Sequence, residues 1–583
     1  MERGLRKRWN IPERHRDAEH LASRLGVHAL IGQVLIGREI ADAETARAFL
    51  EPSLRNLEDP KTLSGAEVAA VRICHALRER EPVILYGDYD VDGITAVAIL
   101  YHALKTALPD ADVRRYIPHR IQEGYGLNTN AIHRLADEGA KLIVTVDCGI
   151  SAIEPAQAAR SRNVDLIVTD HHELGETLPE AFAIVHPALD SSGSVSPHHV
   201  LCGASVAYKL AWQIAKTWCD SEQVSEEFRN LLLDLLSLAA MATIADVVPL
   251  VGENRTIVHF GLGRIKNTPF EGLQALINAS HLPEGKMDTY RVGYILGPRL
   301  NACGRMGHAK KACLLLTSAT GQEAKEIAQF LNDENDRRRT EEKRILGQAK
   351  TRVKEMGLDK EEARAILLCD GQWHPGVLGI VCSRLVETYG KPAILLNMQE
   401  ERAKGSARSI EGFNIYQALS ACGHLLESFG GHAMAAGLEV KSDNLAAFKE
   451  ALLTYAETHI QAEQLTPLAR LDGEATLEEL DLETIHELNR LAPFGRGNPV
   501  PCFLLRDVTL VQSPNPLGRN SQHMAMRVKQ GNRQARCLGW NMTDLMPHLA
   551  NGQNIDLACR PKINAWQGNM TVELEIEDLK PKP

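Results

Sequence analysis

The sequence predicts an α/β chain: a parallel-sheet domain, a long connecting helix, a smaller α/β block and a C-terminal β-barrel. Three observations carry that prediction. Between residues 83 and 185, short runs of β-branched residues and leucine alternate with helical stretches, the mark of a parallel sheet covered on both faces. Residues 321–355 hold one helical pattern uninterrupted by proline. After residue 471 that periodicity gives way to short, closely spaced strands.

Residues 1–60 read as a polar and helical lead-in punctuated by Pro12, Pro52 and Pro60. Val83–Tyr86 is a buried strand, followed by a helix from Gly93 to Leu104. Leu142–Val146, Leu166–Thr169 and Phe182–Val185 are further strands, with a helical stretch over 155–162 behind the first of them and a longer one over 226–243. Residues 332–344 contain no apolar side chain. A helix polar on every face is usually a solvated bridge, so a domain boundary is expected there. Ala365–Leu368 and Pro392–Leu396 belong to the second α/β block, which closes near Val440. Five strands follow, beginning with Phe503–Leu505 and ending with Thr571–Leu574, with one helical insert over 542–549. That pattern fits a small barrel of the OB type.

A length of 583 residues sets an expectation of three to four domains. With 44% hydrophobic and 24% charged residues, a disordered, collagen-like or disulfide-stapled chain is excluded. No run approaches the ~20 apolar residues of a spanning helix, and the basic N-terminus lacks the apolar stretch of a secretory signal. Twelve cysteines without a Cys-x-x-Cys pair are expected to be reduced, in a cytoplasmic protein with no membrane attachment. The net charge is −10. It argues against coating nucleic acid by bulk charge and leaves room for a local basic channel.

The acidic residues fall where three strands end. The first strand runs into Asp88-Tyr89-Asp90-Val91-Asp92-Gly93, the second into Asp147, the third into Asp170-His171-His172. All C-terminal strand ends of a parallel sheet share one edge, where open α/β sheets bind ligands. Carboxylates crowded there repel one another unless cations intervene. Oxygen ligands with one or two imidazoles suit Mn²⁺ or Mg²⁺, and so many carboxylates fit a pair of ions ~3.5–4 Å apart, the arrangement of phosphoester hydrolysis. A calcium loop starting at Asp88 fails, because its twelfth position is Ile99 where a bidentate Glu is needed.

These motifs, followed by Ala245-Asp246-Val247-Val248-Pro249-Leu250, resemble the successive motifs of the DHH phosphoesterase superfamily. Gly430-Gly431-His432-Ala433-Met434-Ala435-Ala436-Gly437 resembles the signature of its associated domain. The whole order is similar to the branch of that superfamily that degrades single-stranded DNA from the 5′ end. The resemblance implies a lead-in over 1–60, a DHH catalytic domain over 61–316, a connecting helix over 317–356, a DHH-associated domain over 357–460 and an OB-fold domain over 461–583. It implies two divalent ions, Mn²⁺ or Mg²⁺, held by Asp88, Asp90, Asp92, Asp147, His171 and Asp246, with Asp147 as the bridge and His172 facing the scissile phosphate.

Other groups are candidates for holding DNA. Arg120 could fork onto a phosphate and Tyr125 could stack on a base. Arg299, Asn301 and Arg305 lie in one short segment that would set positive charge opposite the acids, where a phosphoryl oxyanion needs it. Ser406 and Arg408 suit a terminal 5′-phosphate, and Gly430, Gly431 and His432 would let the backbone approach the strand. The cleft implied between the domains would admit an unpaired strand and exclude a duplex ~20 Å across. The expected activity is metal-dependent release of mononucleotides from the 5′ end of single-stranded DNA, in recombination and in mismatch or base-excision repair. The chain is expected to act as a monomer near a helicase and a single-strand-binding protein. The alternatives are a hydrolase of short oligonucleotides or cyclic dinucleotides, and a DNA-binding scaffold on a decayed catalytic fold.

Overall fold

The computed structural model describes residues 2–120, 122–189, 196, 198–283 and 285–582. Two compact units emerge, one of residues 48–336 with 491–500, the other of 1–47, 337–490 and 501–583.

The first unit is built on five parallel strands: β1 (Val83–Gly87), β2 (Val113–Tyr116), β3 (Leu142–Val146), β4 (Asp165–Thr169) and β5 (Ala183–Val185). Their order is β2-β1-β3-β4-β5. Every residue of β1 and β3 is buried, as expected of strands covered on both faces. Three of its helices matter for the site: α1 (Val91–Ala107), between β1 and β2, and α2 (Gly203–Cys219) and α3 (Glu226–Ala245), after β5. They pack against one another over one face of the sheet. By length and composition α3 is apolar enough to cross a bilayer, which corrects the expectation that no such segment exists. Here its apolar residues, Leu235, Leu236, Leu238 and Met241 among them, are fully buried in the core. A π-helical turn, Val292–Leu296, leads into α4 (Gly297–Arg305).

The long helix α5 (Gly321–Glu355) forms where its pattern places it, and the two units divide between Asp336 and Arg337 within it. It is not solvated throughout: Glu334 and Asn335 are buried, and Asn332 Oδ1 accepts from Arg299 Nε at 3.0 Å. A polar stretch can be buried when neighbouring polar groups pair with it, which composition alone does not disclose.

The second unit holds a five-stranded mixed sheet. Its elements are β6 (Ile366–Cys369), α6 (Pro375–Tyr389), β7 (Ala393–Met398), β8 (Arg402–Arg408), β9 (Leu426–Gly431) and β10 (Ala435–Lys441). The strands run in the order β9-β10-β8-β7-β6, with only β6 and β7 parallel. The barrel follows as β11 (Gly473–Ala475), β12 (Phe503–Leu517), β13 (His523–Gln530), β14 (Arg533–Gly539), β15 (Asn554–Trp566) and β16 (Asn569–Pro581). The pairing of β12 with β15 closes it. Closure removes the exposed edges that an open antiparallel sheet would leave. The helical insert is a 3₁₀ segment over Thr543–His548. The lead-in is tied to this unit: strand Arg8–Asn10 pairs with Leu468–Arg470, and buried Trp9 donates its indole N–H to Asp578 at 2.9 Å. All twelve cysteines are free thiols, ten of them buried.

Candidate metal centre and nucleic-acid contacts

The strand order β2-β1-β3-β4-β5 reverses direction between β1 and β3, and the crevice at such a point is where open α/β sheets take their ligands. β1 hands on directly to Asp88. Asp90 caps α1, its Oδ1 accepting from the N–H groups of Asp92 and Gly93 at 2.9 and 3.1 Å. β3 ends in Asp147, whose φ of +61° lies in the left-handed region. β4 ends in Asp170-His171-His172, and Asp246 stands at the C-terminus of α3. The next residue, Val247, is β-branched with φ +59°, a strained conformation of the kind that clusters at functional sites.

Donor atoms converge in three overlapping groups: Asp88 with Asp90 and Asp147, Asp92 with His171 and Asp246, and Asp147 with His171 and His172. Asp147 belongs to two of the three. His171 Nε2 lies 3.1 Å from Asp147 Oδ1, 3.5 Å from Asp92 Oδ2 and 3.8 Å from Asp246 Oδ2. Asp92 is anchored from behind, since Oδ2 and Oδ1 accept the N–H groups of Gly203 and Ala204 at the start of α2, both at 2.7 Å. The positive end of a helix suits an anion there. Gly203 is required for this approach, because a Cβ would stand 2.6 Å from the Cβ of Asp147.

Three buried atoms in this cluster have no hydrogen-bond partner: Asp88 Oδ1, Asp147 Oδ1 and His171 Nε2. Buried polar atoms are otherwise almost always paired. Donors around one octahedral ion with ~2.1 Å bonds stand about 3.0 Å apart, close to the Asp147–His171 separation. The residues therefore fit divalent cations. The electrostatics agree. Burial and then Asp90 push the Asp88 carboxyl well up, while burial and the charges of Asp92, Asp90, Asp88 and Asp246 push Asp147 well up. Burial, and Asp92 next, raise Asp90 and hold Asp246 at about 8.

Asp170 is the exception among these acids. Burial would raise it, but the hydrogen bond and charge of His172 and the N–H groups of Ile150 and His172 outweigh that and hold it at about 2. Its Oδ1 lies 2.7 Å from His172 Nδ1. Burial would lower His172, and Asp170 more than reverses this, to about 9. Sequence reasoning left Asp170 without a role. The signal available was a third acid beside two histidines, and only the backbone turn shows that it faces them.

Around this cluster, Tyr125 Oη lies 3.2 Å from His172 Nδ1 and 3.3 Å from the carbonyl of Asp147. The guanidinium of Arg120 stands 4.6 Å over the ring of Tyr89, and its charge acts on Asp88. Asn301 Oδ1 accepts the N–H of Val91 at 3.1 Å, so it braces the Asp88–Asp92 loop. Arg305 ends α4 where its charge opposes the rise that burial gives the Tyr89 phenol. Arg299 is buried and donates to Asn332 and to the carbonyl of Ile295.

In the second unit, Ser406 and Arg408 lie on one face of β8 above Gly379 of α6, where a Cβ would stand 2.9 Å from the guanidinium. Gly430 opens onto free space, whereas a Cβ at Gly431, with φ +140°, would run into the backbone of Ala435 at 2.4 Å. Gly431 thus serves the β9–β10 hairpin itself. His432 is exposed at the hairpin tip, its N–H donating to the carbonyl of Ala435 at 2.8 Å.

Family profiles match in the same order: the DHH family N-terminal domain over 82–242, the DHHA1 domain over 362–458 and the RecJ OB domain over 471–578. The chain is 37% identical to the single-stranded-DNA-specific exonuclease RecJ of Bacillus subtilis, over 98% of this chain and 70% of that one. Against RecJ of Haemophilus influenzae it is 32% identical over 99% of each. The chain belongs to the RecJ family. The crystal structure of RecJ from Thermus thermophilus in complex with Mn²⁺ superposes with a TM-score of 0.83 at 31% identity, over 99% of this chain and 80% of that one. The Mg²⁺ complex of that RecJ gives 0.77 at 31% identity, over 99% and 79%. Among RecJ relatives, then, are proteins solved with each of the two ions that the donor set here suits.

Proposed function

We propose that the chain is a metal-dependent exonuclease that removes mononucleotides from the 5′ end of single-stranded DNA. The reading is carried by the buried carboxylate and imidazole atoms left without partners at the switch point of a RecJ-family sheet. Asp88, Asp90, Asp92, Asp147, His171 and Asp246 would hold the ions. Divalent ions bound there would lower the pKa of water and polarise a phosphoryl oxygen.

The protein's own groups do the rest. Asp170 fixes His172 through Nδ1, leaving the ring to present a proton-bearing nitrogen to the phosphate. Asp92 is held rigid by the start of α2, so His171 keeps a fixed orientation beside Asp147. Arg120 and Arg305 supply positive charge where the phosphoryl group becomes more negative, and Tyr125 offers a ring to the adjacent base. Ser406 and Arg408 bind the terminal 5′-phosphate, a charge-assisted contact of the kind arginine favours. Gly430, with open space where a Cβ would be, and His432 give the strand a close approach. The family further suggests a monomer in the cytoplasm working on strands opened by a helicase or covered by a single-strand-binding protein in recombination and repair.

The test is a single strand labelled at one end or the other, incubated with Mn²⁺ or Mg²⁺. Labelled mononucleotide should appear at once from the 5′ label and only late from the 3′ label. Immediate release from the 3′ label alone would overturn the polarity, and no release with either ion would overturn the activity.

A further inference from the structure

Tyr290 and Tyr294 are the two most exposed aromatic side chains of the described residues, 64% and 66% accessible, and their rings stack on one another with centroids 4.9 Å apart and planes 26° apart. Large aromatic rings left in water in this way call for an occupant. The pair is also preorganised. Tyr290 lies in the helical turn Thr289–Arg291, whose N-cap Asp288 accepts the N–H of Arg291, and Tyr294 lies in the π-helical turn Val292–Leu296. A π turn is rare and is found frequently at functional sites.

The segment adjoins the metal-ligand turn. A Cβ at Gly293 would stand 3.4 Å from Ile244, two residues before Asp246, and Gly297 abuts Ala245. Thr289 Oγ1 donates to the carbonyl of Phe494 at 2.8 Å. From Phe494 the chain runs to Arg496, whose carbonyl accepts the N–H of Leu250 at 2.8 Å. The Arg496 guanidinium is exposed, 3.4 Å from the carbonyl of Val247, and its charge acts on Asp246. One stretch of surface therefore combines two stacked rings, an arginine and the edge of the metal cluster.

Resting on the exonuclease reading above, we propose that Tyr290 and Tyr294 are a stacking platform for a base of the single strand, with Arg496 on the neighbouring phosphate. Stacked rings accept any base because each has a π face, so the platform holds sequence-tolerant substrate next to the metals. The occupant is a nucleic acid and not a protein because the two most exposed rings are stacked, are flanked by a cation and continue into a phosphodiester-cleaving site.

The experiment measures binding and degradation of two single strands, one normal and one with abasic sites across its 5′ nucleotides, by the full chain and by Tyr290→Ala/Tyr294→Ala. Metal-dependent hydrolysis of bis(p-nitrophenyl) phosphate, a diester without bases, is followed in parallel. The double variant should bind the normal strand about 5- to 100-fold more weakly and favour the normal over the abasic strand by a correspondingly smaller factor than the parent does, with hydrolysis of the small diester unchanged. Tyr290→Phe/Tyr294→Phe should restore discrimination between the strands. Discrimination undiminished in the alanine variant overturns the platform. So does unchanged DNA binding accompanied by a change in sedimentation, which would mark the surface as a contact between copies. A parent protein that hydrolyses the diester but neither binds nor degrades single strands overturns the underlying exonuclease reading instead.

Discussion

Two clusters of buried ionisable groups lie in the same unit and solve the problem of buried charge in opposite ways. Around Glu253, fully buried His198 places Nδ1 2.6 Å from one carboxylate oxygen and fully buried Lys209 pairs with the other. His198 Nε2 in turn lies 2.8 Å from Thr62 Oγ1. Burial would raise Glu253, but His198 and Lys209 hold it below its ordinary value of 4.5. At the strand ends, by contrast, acids face acids, and burial together with like charge pushes Asp88, Asp90, Asp147 and Asp246 up. A cluster that neutralises itself is a structural element. A cluster that buries like charges and leaves donor atoms unpaired is incomplete until a cation arrives.

That contrast breaks most sharply under substitution. Asp147→Ala should lower exonuclease turnover by about 10⁴-fold or more, since it removes a donor shared by two ligand groups. Its metal-free melting temperature should equal or exceed the parent's, because one of several repelling carboxylates is gone. A marked drop in stability without metal would show that the acids hold the fold together. Glu253→Ala should do the reverse. It leaves Lys209 buried without its partner and should cost about 3–5 kcal/mol of stability in denaturant unfolding, with the cleavage rate per folded molecule unchanged. Because the folded pKa of Glu253 is depressed, its contribution is present above pH 4.5 and is lost as pH falls through the folded value.

The difference between the clusters also explains what the sequence disclosed. Asp88, Asp90, Asp147, His171 and His172 were legible because they end strands, and strands announce themselves as runs such as Leu142–Val146. Asp246 was legible only through the motif around it, since it ends a helix far along the chain. Glu253, His198 and Lys209 lie in unremarked stretches and meet only in the folded core. The same holds for Gly203 and Ala204, whose N–H groups reach Asp92 from 111 and 112 residues away. Arg299 read as a candidate phosphate ligand because it stands near Asn301 and Arg305. Two positions along a helix point to nearly opposite sides, and Arg299 donates to Asn332 while Asn301 accepts from the N–H of Val91. The tyrosine pair went unnoticed because a π turn has no signature in hydrophobic periodicity.

Metal addition sharpens the comparison by testing both clusters at once. Mn²⁺ at 100 times its dissociation constant should stabilise the parent by about 2.7 kcal/mol through mass action. Glu253→Gln should show the same increment on a lower baseline, and Asp147→Ala should show little of it. An equal increment in Asp147→Ala would place the ion elsewhere.

The smallest effect concerns Asp170, the one acid at the rim that behaves like Glu253. It accepts the N–H groups of Ile150 and His171 at 2.9 and 2.7 Å and pairs with His172, so its charge is spent on orienting protein groups. Partners that orient ligands in this way are typically worth 10–100-fold in metal affinity or activity. Asp170→Asn should therefore lower the cleavage rate by about that factor, far less than Asp147→Ala does. Excess Mn²⁺ separates the two possible routes. If Asp170 acts mainly by holding His171, saturating metal restores most of the rate. If it acts through His172, the deficit persists at any metal concentration, and that persistence is the expected result, because the Asp170 hydrogen bond reaches the ring of His172 but only the backbone of His171.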